Sequence, residues 1–163
     1  GETSTVERAV TVAASVVAKA LGQHRSVGLV TSGIRADVLQ PDRGTKQLGK
    51  LMQYLAEVDV QGSLSIAEAL VETFPRLRRG SSCLILTPSL DRGWVRPAST
   101  LREAAISTQA VVIGSPVETD ERDRARRHAL LGELAVAGIP SAYLSHDARV
   151  EDLFRESAVA TAS

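Results

Sequence analysis

Residues Ser82 to Thr87 (SCLILT) form an uncharged, largely apolar run with no helical spacing. Such a run is too short for a helix and reads as a strand buried on both faces. A strand of that kind needs a parallel sheet with helices above and below it. Gln109 to Ile113 (QAVVI) and Ser141 to Leu144 (SAYL) repeat the signal downstream. Helical patterns separate the three runs. A loop from Pro88 to Pro97 leads to a helix holding Leu101, Ala104 and Ala105, and a charged helix runs from about Thr119 to Ala137, ended by Gly138.

Upstream, Val6, Ala9, Val10, Ala13, Val17, Ala20 and Leu21 recur at helical spacing. Ser4 and Glu7 form a candidate capping box ahead of this stripe, with Gly22 as its stop. Arg25 to Thr31 and Ile34 to Leu39 read as two strands joined by a Ser32-Gly33 turn, an antiparallel hairpin that Pro41 to Gly44 ends. The next helix covers about Thr45 to Val58 with Leu48, Leu51, Met52 and Leu55 on one face. Gly62 opens a loop, and Ser65 with Glu68 caps a helix bearing Ile66, Ala69, Leu70 and Phe74, stopped at Pro75 or at Arg78-Arg79-Gly80. Asp147 is placed to cap a terminal helix with Val150, Leu153 and Phe154, and residues 158–163 read as a frayed tail. The whole predicts one α/β domain over residues 1–163. Its sheet is doubly wound and mostly parallel, with one antiparallel edge strand and helices on both faces, a Rossmann-like arrangement.

Charge and composition narrow the function. Among 163 residues, Lys+Arg number 19 and Asp+Glu 19, a formal charge of +0 that removes the electrostatic case for nucleic acid or an anionic membrane. Aromatics at 3% supply no stacking platform for bases. A single cysteine, Cys83, excludes a disulfide framework and fits a reducing, cytoplasmic setting. The longest uncharged stretch, Ala104 to Val117, is interrupted by Gly114 and Pro116 and falls short of the roughly 20 apolar residues of a membrane span. Ala9 to Ala18 is shorter and has no basic segment ahead of it, unlike a signal peptide.

Motifs for common chemistries are missing. Arg43-Gly44-Thr45-Lys46 lacks the earlier glycine of a phosphate loop, no G-x-G-x-x-G follows a strand, and Gly62-Ser63 and Gly114-Ser115 lack the second glycine of a nucleophile elbow. His24, His128 and His146 stand far apart, without the clustered spacing of zinc ligands. Cys83 lies in the central strand and reads as a small buried hydrophobe. Arg76, Arg78 and Arg79 suit the negative end of the preceding helix. In the charged helix, Glu118 with Arg122, Asp120 with Arg124 and Asp123 with Arg127 make a self-paired solvated face, each pair contributing about 0.3 kcal/mol.

The segment Val6-Glu-Arg-Ala-Val-Thr-Val-Ala-Ala-Ser-Val-Val, followed by Val27-Gly-Leu-Val, resembles the von Willebrand factor A-like region of a bacterial family of unknown function. The similarity continues through Leu48–Leu55, Gly62–Leu70 and Leu84–Thr87 in the same order. Members of that family accompany MoxR-type AAA+ ATPases. The resemblance implies a doubly wound sheet with a metal-ion-dependent adhesion site at its C-terminal edge. Ligands there come from a D-x-S-x-S segment after the first strand, a threonine ahead of a later helix, and an aspartate after the central strand; such oxygen ligands suit Mg²⁺. Here Ser63 in Gly62-Ser63-Leu64-Ser65 matches the threonine, Thr87 ends the central strand, and Pro88 stands where the aspartate belongs, with Asp91 three residues on. The D-x-S-x-S segment is absent, since the chain starts at the helix that follows it. A degenerate site without metal or cofactor is the expectation.

That missing strand would lie between Arg25–Thr31 and Ser82–Thr87, so the chain reads as a fragment of a longer protein. Those two strands either pair directly or keep open edges through which chains could self-associate. Hydrophobic segments further upstream would make the whole protein membrane-anchored. The expected function is a non-enzymatic interaction domain with a protein partner, a MoxR-type AAA+ ATPase. Its contact surface is Gly62, Ser63, Ser65, Arg92, Trp94 and Arg96, at the carboxyl ends of the strands. Trp94 is either an anchor for the partner or a side chain that packs the loop onto the domain. The alternative is a small α/β hydrolase or nucleotide-binding enzyme with Ser63, Ser89 and Asp91 at the same rim.

Overall fold

A computed structural model of the chain describes residues 2–31, 37–57, 65–114 and 120–155. Its first element is the long helix α1 (Glu2–Gly22). Ser4 falls inside this helix rather than ahead of it, while the helix ends at Gly22, where the sequence places its stop. The turn that closes α1 centres on His24, at φ 62°, with the Arg25 N–H donating to the Ala20 carbonyl at 3.1 Å. Glycine is the usual residue in such a left-handed closing position.

The hairpin is antiparallel, as its sequence pattern predicts. Strand β1 (Val27–Thr31) pairs with β2 (Asp37–Asp42), setting Leu29 opposite Leu39 and Val27 opposite Asp42, with an irregularity between Val27 and Leu29. The second strand runs further along the chain than Ile34–Leu39, and Pro41, expected to end it, lies within it. Proline is tolerated where the ladder is irregular. Ser32-Gly33 lies outside the described residues. At the irregularity a Cβ on Gly28 would stand 2.6 Å from the Leu39 carbonyl oxygen, so only glycine lets the strands approach. Helix α2 (Gly44–Ala56) then seals this spot. Its buried Gln47 donates through Nε2 to the Val27 carbonyl at 2.8 Å and the Gln40 carbonyl at 3.0 Å.

Helix α3 (Ile66–Thr73) starts where the sequence places it. The Glu68 N–H donates to Ser65 Oγ at 3.1 Å and the Ser65 N–H to Glu68 Oε2 at 3.3 Å, a reciprocal cap. Then come β3 (Ser82–Thr87), α4 (Val95–Glu103), β4 (Ser107–Ile113), α5 (Glu121–Val136) and β5 (Ser141–Leu144). The three strands form a parallel sheet in the order β3-β4-β5, with Ser82 opposite Ser107 and Ala110 opposite Ser141. Helix α4 begins at Val95, ahead of Pro97, which fits its first turn because no N–H is needed there. A 3₁₀ turn, Val150–Arg155, stands in place of the expected terminal helix. The tail, residues 158–163, lies outside the described residues.

Alternate side chains of β4 enter opposite cores. Ala110 and Val112, with Ile85 of β3, meet Trp94, Val95 and Ala98 around the start of α4 and Leu130 and Leu134 of α5, with Ile66 and Leu70 of α3 at the margin. Val111 and Ile113, with Leu144 of β5, meet Val12 of α1, flanked by Leu84 and Leu86. One turn further along α1, Val17 and Leu21 pack with Leu51 of α2 against Val27, Leu29 and Leu39 of the hairpin. Helices thus cover both faces of a three-stranded parallel sheet.

The expected single sheet with the hairpin as its antiparallel edge is instead two sheets: among the described residues β1 and β3 are not hydrogen-bonded, because no strand bridges them. No helix of the described residues is long and apolar enough to cross a membrane.

The closing turn of α1 recurs. Ile106 donates to the Leu101 carbonyl at 3.1 Å with Ala105 at φ 65°, and Ile139 to the Leu134 carbonyl at 2.9 Å with Gly138 at φ 74°. Ala105 holds this conformation at about 1 kcal/mol relative to a right-handed one.

Gln47 is the polar group on which the hairpin's irregular end rests. Gln47→Leu leaves two partly buried carbonyls without a donor and should destabilise the fold by about 1–3 kcal/mol. Urea unfolding measures it, and an unchanged midpoint would refute this role.

Candidate functional site

The C-terminal end of β3 opens into the loop that the sequence marks as the rim. Thr87 is wholly buried, and its Oγ1 accepts the Ser89 N–H at 3.0 Å. Ser89 Oγ accepts the Asp91 N–H at 3.2 Å, and Asp91 Oδ1 accepts the Gly93 N–H at 3.3 Å. Three successive side-chain oxygens therefore each bind the amide two residues on, and the loop is wound on its own polar groups.

This ladder delivers the chain to Trp94, which corrects one of the two readings of that residue. Its side chain is 2% exposed and packs with Val95, Ala98, Leu130 and Leu134, so it belongs to the core and is not a surface anchor. The indole Nε1 finds no acceptor among the described residues. Truncating a tryptophan so placed costs about 3–5 kcal/mol. What the loop does expose is Pro88, Asp91, Arg92, Gly93 and Arg96. Arg92 reaches across to α5, its Nη1 3.0 Å from Glu133 Oε1. Ser65 is occupied as the α3 cap, while Gly62 and Ser63 lie outside the described residues.

A second polar group gathers after β5. Ser145 Oγ donates to Asp147 Oδ1 at 2.7 Å, so Asp147 folds back on its own loop instead of capping a helix. The run Ser145-His146-Asp147 contains the residue types of a nucleophile relay, but the hydroxyl meets the carboxylate directly, and a relay needs the imidazole between them. Arg8 of α1 holds this loop, donating through Nη2 to the Ser145 carbonyl at 3.0 Å and to the Ala148 carbonyl.

The other candidates are dispersed. His24 follows α1, His128 is within α5 and His146 follows β5. Among the described residues no group of three His, Cys, Asp or Glu side chains is placed to hold a metal ion. Burial pushes the Cys83 thiol up to about 11, so it stays protonated at neutral pH. On α5, Asp120 caps the helix by accepting the Arg122 N–H at 3.1 Å, Asp123 lies 3.7 Å from Arg126, and the Arg127 guanidinium sits 4.1 Å from the centre of the Tyr143 ring. Glu118 lies outside the described residues. A shallow depression on α3 is lined by Ala67, Glu68, Val71 and Glu72, with the Glu68 carboxylate engaged in the Ser65 cap.

Two residues that organise the structure carry no motif, yet their spacing gives them away. Gln47 stands four residues before Leu51 and eight before Leu55, on the buried stripe of α2. Arg8 stands four before Val12 on the buried face of α1. A polar residue in register with a core stripe is the signal.

Compared with models of known protein families the chain matches none, and comparison with curated proteins likewise gives no match.

The Ser145 hydrogen bond is the main reason the Asp147 carboxyl ionises below its ordinary 3.8, aided by a backbone amide and by His146 and Arg8. A carboxylate depressed by folding contributes stability above its unfolded value, and the contribution disappears as pH falls through the folded value. An NMR titration should therefore give Asp147 a midpoint under 3.8 that rises in Ser145→Ala. An equal midpoint in the two proteins would show that the hydroxyl does not set it.

Proposed function

We propose that this chain is a non-enzymatic protein-interaction domain of von Willebrand factor A-like, doubly wound type, acting beside a MoxR-type AAA+ ATPase through the rim between Pro88 and Arg96. The observation that supports it is the ladder Thr87–Ser89–Asp91–Gly93. It turns the rim's oxygens onto the loop's own amides and leaves arginines outward. Catalysis at this rim would need a nucleophile and a base within hydrogen-bond reach, whereas Ser89 and Asp91 are joined through backbone and the histidines stand on other segments. The parallel order β3-β4-β5 and helices on both faces are compatible with the fold proposed.

The adhesion-type metal site is degenerate in this reading. Pro88 brings no side-chain oxygen to the position an aspartate would hold, and Thr87 Oγ1 and Asp91 Oδ1 are engaged in turns. Hard cations need several such oxygens together. Calorimetric titration with Mg²⁺ or Mn²⁺ should show no binding tighter than millimolar, and micromolar binding would overturn the assignment.

The surface itself is tested with a purified MoxR-type AAA+ ATPase from the same genome, immobilised on a sensor chip. Arg92→Glu combined with Arg96→Glu should weaken binding about tenfold or more, since arginines at an interface centre contribute on that scale. Undiminished binding by the double variant would exclude this surface, and no binding by the unaltered chain would exclude the partner.

A further inference from the structure

The edge of the parallel sheet at which its strands begin gathers arginines that the fold does not use. The loops entering β3, β4 and β5 (residues 77–81, 104–106 and 137–140) are all among the described residues. Hydrogen bonds tie the first two together: the Gly80 N–H donates to the Ala105 carbonyl at 3.0 Å, and the Ser107 N–H to the Ser81 carbonyl at 3.0 Å. Arg102, in the last turn of α4, folds over the third loop, where a Cβ on Gly138 would stand 2.8 Å from its Cζ. Arg76, Arg78 and Arg79 lead into β3, and all four arginines are exposed.

Among the described residues none of these four guanidinium groups has an ion pair or a hydrogen-bond acceptor. Several arginines elsewhere are engaged: Arg8 binds two carbonyls, Arg92 meets Glu133, Arg126 faces Asp123 and Arg127 lies on the Tyr143 ring. The helix dipole accounts for only part of the cluster. Arg102 is in the last turn of α4 and Arg76 ends a 3₁₀ turn, Phe74–Arg76. Leu77 is extended, at φ −90° and ψ 139°, so Arg78 and Arg79 stand beyond the helical segment. The field of a dipole fades within the last turn, and the role expected of these arginines therefore stops at Arg76.

We propose that this edge binds a short acidic segment of a polypeptide, its carboxylates paired with Arg78, Arg79 and Arg102. The planar fork of a guanidinium meets a carboxylate with two parallel N–H···O bonds. Strand spacing sets the size of the ligand: from β3 to β5 is about 10 Å, the length of about three extended residues. A broad anionic surface fits less well. Glu72, a turn ahead of Arg76, and Glu103, next to Arg102, are exposed. A bilayer or a duplex laid on this edge would bring its charge against both carboxylates, whereas a narrow segment need not.

Fluorescence anisotropy at low ionic strength tests it, with the labelled peptide Asp-Glu-Asp-Glu-Asp-Glu as probe. Binding should saturate and should weaken as salt is added. Arg78→Gln combined with Arg79→Gln should weaken it about tenfold or more, and Arg102→Gln alone should act in the same direction. Arg122→Gln combined with Arg149→Gln removes the same charge from exposed positions on segments that follow the opposite ends of the strands. That control pair should leave binding within about twofold.

Absence of saturable binding by the unaltered chain would overturn the proposal. Equal losses in the two double variants would also overturn it, by reducing the effect to general charge attraction. So would tighter binding of a single-stranded oligonucleotide of equal charge, or retention on phosphatidylserine vesicles that Arg78→Gln with Arg79→Gln abolishes, since the ligand would then be a nucleic acid or a membrane. None of these outcomes involves Arg92 or Arg96, so this edge and the rim succeed or fail separately.

Discussion

Both sheets of the structure pack on one face of α1. The same helix presents Val12 to the parallel sheet and, a turn later, Val17 and Leu21 to the hairpin and α2. The two sheets share no ladder among the described residues, so this helix carries much of what relates them. Its stripe is dominated by alanine and valine, small enough to let backbone approach backbone and too uniform to tolerate a large or charged intruder. The packing of β3 and of β1 on one helix is that seat's direct consequence.

Where backbone chemistry is local, sequence and structure agree closely. The Ser65–Glu68 cap, the span Ser82–Thr87 and the span Ser141–Leu144 appear where the residues place them, because caps and short apolar runs are decided within a few residues. The disagreements have identifiable causes as well. Strand β2 runs on to Asp42 because Gln47, on a different element, binds the carbonyls at the hairpin's irregular end. Helix α1 ends at Gly22, but the left-handed position of its closing turn falls two residues on and accepts histidine. Asp147 does not cap because Ser145 reaches it first. At the hairpin the deciding contact joins Gln47 to Val27, far apart in sequence, whereas at Asp147 a neighbouring hydroxyl outcompetes the cap.

The rim shows how a candidate site changes meaning when its oxygens are traced to their partners. Thr87, Ser89 and Asp91 have the residue types that metal or nucleophile chemistry would use, but each serves the amide two residues ahead. The loop thereby gains a fixed shape without a cofactor. Trp94 completes it by descending into the core, which leaves an arginine on either side of the tryptophan pointing outward from a rigid base.

Arg8 gives the seat of α1 a property its hydrophobic face lacks. A stripe of alanine and valine resists separation from a sheet but offers little friction along its own axis, since one small side chain slides into the next one's place with similar contact. The two carbonyls that receive the Arg8 guanidinium, from Ser145 and Ala148, belong to the loop after β5 and do not move with the helix. The arginine therefore works as an indexing pin. It sets which turn of α1 stands over which strand, and a helix slipped by one turn would lose both bonds at once while keeping most of its apolar burial.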